Sequence, residues 1–146
     1  PLGKRAPQRQ AYRLIELERW KAHLGVLLNV HPKYFPVDGT LAALAIVAAA
    51  PSGAEAQMQL AGAILRAVWA DELNIADPAT LRAAAAKAGL DGDRLLADAP
   101  NAKARYDAFT QEALARGVFG APTYVYRGEL FWGQDRLDFL DRALAT

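Results

Sequence analysis

The sequence predicts a helix-rich α/β protein, a long all-helical segment followed by a strand, a tight turn, a second strand and a helix. Two observations carry this. Through most of residues 7–116 apolar side chains recur three or four apart, the repeat of helices with one buried face. At Thr123 the period changes. Thr123-Tyr-Val-Tyr126 and Glu129-Leu-Phe-Trp132 are rich in aromatic and branched residues, and Arg127-Gly128 between them is a two-residue link suited to a hairpin.

The elements follow in order. Leu14, Leu17, Trp20 and Leu24 stripe a helix from Pro7 to Leu24, and Gly25 stands where a C-terminal glycine belongs. Residues 26–39, with Pro32, Pro36 and the pair Tyr34-Phe35, form a structured loop, because each proline lacks a donor and restricts its predecessor. Thr40 caps a short alanine-rich helix that stops at Pro51-Ser-Gly, and Ser52 with Glu55 forms a capping box for the next, which runs to about Asp71. Its apolar face is Met58, Ala61, Leu65, Val68 and Trp69, widened by Leu60 and Ile64 to the all-round burial of a central helix. Asp77-Pro78 starts a helix that Gly89 ends; shorter and longer helices follow at 91–99 and 101–116. After Gly133 the last helix opens at Gln134 and buries Leu137, Leu140 and Leu144.

Charge and composition narrow the function classes. With 17 basic and 16 acidic residues the net charge is +1, too little to steer a polyanion, so nucleic acid is not an expected partner. With 0 cysteines these residues hold no disulfide, thiolate nucleophile or sulfur-rich zinc site, which fits a reducing compartment, and a cytoplasmic location is expected. His23 and His31 lack partners at ligand spacing, so no metal is expected. The apolar run Leu41–Pro51 is about half a membrane span, and Pro1-Leu-Gly does not open like a signal peptide. A two-stranded ribbon is marginal in water. Two further strands are therefore expected from an upstream segment or another subunit, and these residues expressed alone are expected to be poorly soluble.

The segment Gly117-Val-Phe-Gly-Ala-Pro-Thr123, followed by Glu129-Leu-Phe-Trp-Gly-Gln-Asp-Arg-Leu137, closely resembles the C-terminal signature of 2-hydroxychromene-2-carboxylate isomerases. These belong with kappa-class glutathione transferases and DsbA-like proteins. Tyr34-Phe35-Pro36-Val37, Ala67-Val-Trp69 and Asp77-Pro-Ala-Thr-Leu81 look like further family landmarks in the family's order. The resemblance implies a thioredoxin-like fold with an all-helical insertion. Residues 1–116 would be the insertion and 117–146 the C-terminal half of the thioredoxin-like domain, the N-terminal strand-helix-strand lying outside this sequence. It also implies a homodimer with glutathione as cofactor. The family's first loop carries a serine that holds the glutathione thiol as thiolate, or a cysteine motif in the DsbA branch. No residue here corresponds, so no catalytic residue is assigned.

On the same resemblance, Ala121-Pro122 is a cis step whose Ala121 backbone pairs with the cysteinyl unit of glutathione by strand addition; the bland alternative is a proline ending a loop. Gln134 at the helix start would hold the γ-glutamyl carboxylate and Asp135 the ammonium, unless either simply caps the helix. Arg136 supports Asp135 or is a surface charge. Tyr34, Phe35 and Trp69 form the wall of an apolar pocket for an aromatic substrate, with core packing at least as good a reading for Trp69. Asp38 stands where many relatives have Asn, and a carboxylate there disfavours an anionic substrate. Arg5, Arg9 and Arg13 recur every fourth residue, read as a solvated helix face. The expected function is glutathione-dependent isomerisation of an aromatic or conjugated carbonyl compound by reversible thiolate addition. The alternatives are a DsbA-like thiol-disulfide oxidoreductase and a non-catalytic glutathione-binding protein. Ser, Cys, or Ala or Gly in the first strand-to-helix loop separates the three.

Overall fold

The computed structural model of the protein describes residues 2–146. Helix α1 (Pro7–Leu24) starts on a proline, whose missing N–H is harmless at the first helical position, and ends at Gly25 in the left-handed conformation at φ 63°. Leu14, Leu17 and Trp20 are half-buried, while Leu24 is exposed. Arg5 precedes the helix, so the expected basic stripe reduces to Arg9 and Arg13.

Helix α2 (Thr40–Ala48) begins at Thr40, which is therefore not its cap. Asp38 does that work from two residues back, its Oδ1 accepting the Thr40 backbone N–H at 2.9 Å. Hydrogen bonds from Thr40, the side chain first and the backbone second, hold the Asp38 carboxyl below its ordinary range. The expected Ser52–Glu55 capping box does not form either. Residues Ala50–Ser52 make a 3₁₀ turn in which the Ser52 N–H bonds the Ala49 carbonyl, and Gly53, at φ 94°, takes the cap position.

Helix α3 (Ala54–Trp69) buries Leu60, Ile64, Ala67 and Val68. Leu60, Ile64 and Val68 are buried as expected, but Met58 and Leu65, expected on the same buried face, are 71% and 60% exposed. All-round burial is absent because α3 packs chiefly on α2 and on α4 (Pro78–Lys87), which cover one stripe. Asp77 caps α4 by accepting the Ala79 N–H at 2.9 Å, and Gly89 ends it. Helix α5 (Gly92–Asp98) is capped by Asp91, which accepts the Arg94 N–H at 3.1 Å. A 3₁₀ turn, Ala99–Ala102, leads into α6 (Lys103–Ala115).

Leu60, Ile64, Val68, Leu81 and Leu95 form the core of this first unit with Ala42, Ala49, Ala84 and Ala85. Alanine faces let helix axes approach closely, since axial separation follows side-chain size. Gln57 Nε2 donates to the Ile46 carbonyl at 2.8 Å, satisfying an end carbonyl of α2 from α3. Gly92 marks a close crossing of α4 and α5: a Cβ there would lie 2.7 Å from the Arg82 Cα. Backbone cannot give as a side-chain tip can. Gly92→Ala is expected to destabilise the protein by about 1–3 kcal/mol in urea unfolding, and an unchanged midpoint would reject that crossing.

The first compact unit ends at Lys103 and the second is Ala104–Thr146. Packing thus groups residues 104–116 with the hairpin, whereas the sequence reading places them in the helical insertion. In the second unit β1 (Thr123–Tyr126) and β2 (Glu129–Trp132) pair antiparallel, with Thr123 opposite Trp132 and Tyr126 opposite Glu129. Arg127 and Gly128 both have positive φ, the mark of a primed turn matched to strand twist. Helix α7 (Leu137–Leu144) lies against both strands. It starts three residues later than expected, because Gln134–Arg136 form a 3₁₀ turn. Only Leu140 of its expected buried stripe is half-buried; Leu137 and Leu144 are exposed. Tyr124, Val125 and Trp132 of the ribbon are exposed as well. Among the described residues no helix is long and apolar enough to cross a membrane.

Candidate functional site

The hairpin register sets the first cluster. Because Thr123 pairs with Trp132, Pro122 and Gly133 flank the ladder at the same end, and the Gly133 N–H donates to the Pro122 carbonyl at 3.0 Å. That bond brings Ala121 and Pro122 together with Gln134 and Asp135. The Ala121-Pro122 bond is cis, as expected. Ala121 is exposed, and among the described residues no hydrogen bond engages its backbone. The preceding turn is tied down by the Thr123 hydroxyl, which donates to the Gly120 carbonyl at 2.5 Å. Gly120 lies against the Trp132 indole, and the Phe119 ring packs on the same indole at 5.0 Å. Gln134 is exposed. The Asp135 carboxylate pairs through Oδ2 with Arg136, while Oδ1 stands over the Gly133 α-carbon. Arg136 thus supports Asp135. A separate cleft of about 480 Å³ opens between β2 and α7, lined by Trp132, Arg136, Phe139 and Arg142.

The second cluster belongs to the first unit. The loop before α2 is clamped to the C-terminal end of α3. The Asn29 N–H donates to the Trp69 carbonyl at 2.6 Å, its Nδ2 donates to the Ala70 carbonyl at 3.3 Å, and the Lys33 N–H reaches Glu72 Oε1 at 3.2 Å. Glu72 can receive that bond because the chain turns there through a left-handed φ of 52°. The clamp presses Phe35 onto Trp69 with ring centroids 4.7 Å apart. Phe35 and Trp69 are therefore together as expected. Tyr34 is not part of that pair; its ring carries the Lys33 ammonium at 5.2 Å. Sequence reading missed Asn29 and Glu72, whose partners lie some forty residues away.

Residues 1–145 match the family of the DSBA-like thioredoxin domain. The chain belongs to that family. This DSBA-like domain is 35% identical over 133 residues to a protein of Sphingobium xenophagum named 2-hydroxychromene-2-carboxylate isomerase, and 32% identical over 138 residues to one of the same name from Pseudomonas putida. The alignments take in 90% and 91% of this chain. The chain spans 66% and 64% of the length of those relatives. A solved structure of a 2-hydroxychromene-2-carboxylate isomerase superposes on 92% of the domain with a TM-score of 0.71 and 30% identity, covering 65% of that chain. The helix-rich unit followed by hairpin and helix is thus part of a thioredoxin-like architecture.

Proposed function

We propose that this DSBA-like domain forms part of a glutathione-dependent isomerase acting on an aromatic or conjugated carbonyl compound of the 2-hydroxychromene-2-carboxylate type. The observation that carries the reading is the Gly133–Pro122 hydrogen bond, which sets a backbone with open hydrogen-bonding groups at Ala121 beside the polar pair Gln134 and Asp135. Those groups suit glutathione. An extended cysteinyl unit pairs with the Ala121 backbone as an added strand. The Gln134 amide serves the γ-glutamyl carboxylate, and Asp135 Oδ1, left over from the Arg136 pair, serves the ammonium. When bound, glutathione supplies the sulfur nucleophile for reversible addition to a conjugated carbon. The residues of this chain hold and orient it, and Phe35 with Trp69 offers an aromatic surface to a flat substrate. The names of the relatives support isomerisation over the oxidoreductase and binding-protein alternatives.

Two measurements on the full-length protein test this. Conversion of 2-hydroxychromene-2-carboxylate, followed by absorbance, is expected to require glutathione; no turnover, or turnover indifferent to glutathione, would reject the proposal. In calorimetry Asp135→Ala is expected to weaken glutathione binding by about 1–3 kcal/mol, as for loss of a charge-assisted hydrogen bond. Unchanged affinity would remove Asp135 from the site.

A further inference from the structure

We infer that Arg13 is a specificity-determining residue that binds the carboxylate of an aromatic or conjugated acid whose ring lies against Phe35 and Trp69, a subsite that rests on the isomerase reading for its natural ligand. The Arg13 guanidinium carbon lies 5.5 Å from the Phe35 ring centre and 5.7 Å from that of Trp69. Both distances are within cation–π range. A ring face steadies the charge of a guanidinium but does not occupy its N–H donors, which form a planar fork matched to a carboxylate. Among the described residues Arg13 has no ion pair and no side-chain hydrogen bond. The acidic residue one turn along α1, Glu16, is held by Arg19 at 2.8 Å.

Among the described residues, none of the acidic side chains of these segments takes up the Arg13 guanidinium. Asp71 pairs with Arg66 and Lys87, each at 3.4 Å. Glu72 accepts the Lys33 N–H and Asp38 accepts from Thr40, so neither is paired with Arg13. An uncharged N–H does not neutralise a carboxylate, and the preference for an acid rests on the Arg13 fork itself. Phe35 remains 38% exposed, so its ring can still receive a ligand. The Asn29 and Glu72 clamp fixes Phe35 on Trp69 beforehand, so little ordering is left for binding to offset. A flat acid is the ligand class that uses both parts, its ring on the aromatic pair and its carboxylate on the fork.

The alternative is that Arg13 merely shields the two rings from water. Full-length protein titrated with trans-cinnamate and with neutral trans-cinnamamide separates the two roles. The wild type is expected to prefer cinnamate by at least about tenfold, the worth of one charge-assisted contact. Arg13→Met, which keeps apolar cover over the rings, is expected to bind the two alike, and Arg13→Lys to retain part of the preference. Equal affinities in the wild type, no detectable binding of cinnamate, or a preference that survives in Arg13→Met would each overturn the inference. Failure of the isomerase reading looks different: no glutathione-dependent turnover while the discrimination between acid and amide stays intact.

Discussion

Leu60→Ala is expected to lower the unfolding free energy by about 2–5 kcal/mol, the range for truncating a buried leucine without collapse of the space left behind. Leu60 is 1% exposed and is the largest side chain buried to that degree. Its neighbourhood explains the size of the effect. Much of the core around it is alanine, on α2 at Ala42, beyond its end at Ala49, and on α4 at Ala84 and Ala85. Alanines have no longer rotamers with which to fill a void, and they already place the helix backbones close together, so the cavity should persist. Leu65→Ala on the exposed face of the same helix provides the comparison, with a change expected within about 0.5 kcal/mol. Urea unfolding of the two variants beside the wild type decides it. Similar losses for both would mean that α3 turns a different face to its neighbours.

The same helix shows where sequence reading stops. Met58, Leu60, Ala61, Ile64, Leu65 and Val68 supply two overlapping apolar stripes, and both satisfy helical periodicity. Which one is buried depends on where α2 and α4 lie, and that is not encoded in the helix's own spacing. Boundaries set by strong local signals were legible: Pro7 and Gly25 around α1, Asp77-Pro78 and Gly89 around α4, and Arg127-Gly128 in the hairpin. Ser52 misled because Pro51 draws it into a 3₁₀ turn, leaving a glycine to take the positive φ at the cap. The candidate site divides in the same way. Ala121 and Pro122 precede β1 while Gln134 and Asp135 follow β2, at the same end of a short ribbon, so strand register alone brings them together. Arg13, Asn29 and Glu72 meet their partners only through the tertiary fold, and in sequence Arg13 looked like any solvated helix charge.

Gly133→Ala is expected to lower stability by about 1–3 kcal/mol through backbone strain, and in the same variant to reduce glutathione affinity by about tenfold or more. Gly133 has φ 109°, a conformation that L side chains rarely adopt. A Cβ on that backbone would stand 2.5 Å from Asp135 Oδ1, well inside contact distance. Two adjustments could relieve the clash. If Asp135 swings aside, the oxygen assigned to the ammonium leaves its place. If instead the backbone retreats toward negative φ, the Gly133 N–H loses its 3.0 Å bond to the Pro122 carbonyl, and the Ala121-Pro122 step is no longer fixed beside Gln134. Either path damages the same cradle. Gly128→Ala isolates the strain, since Gly128 has φ 85° with open space around its Cβ position at the far end of the hairpin. It should lose stability while keeping glutathione affinity. Calorimetry on both variants, with a melting curve to show that each is folded, gives the comparison. A folded Gly133→Ala protein that binds glutathione as the wild type does would separate this corner from ligand binding, and with it the reading of Ala121, Gln134 and Asp135 as one site.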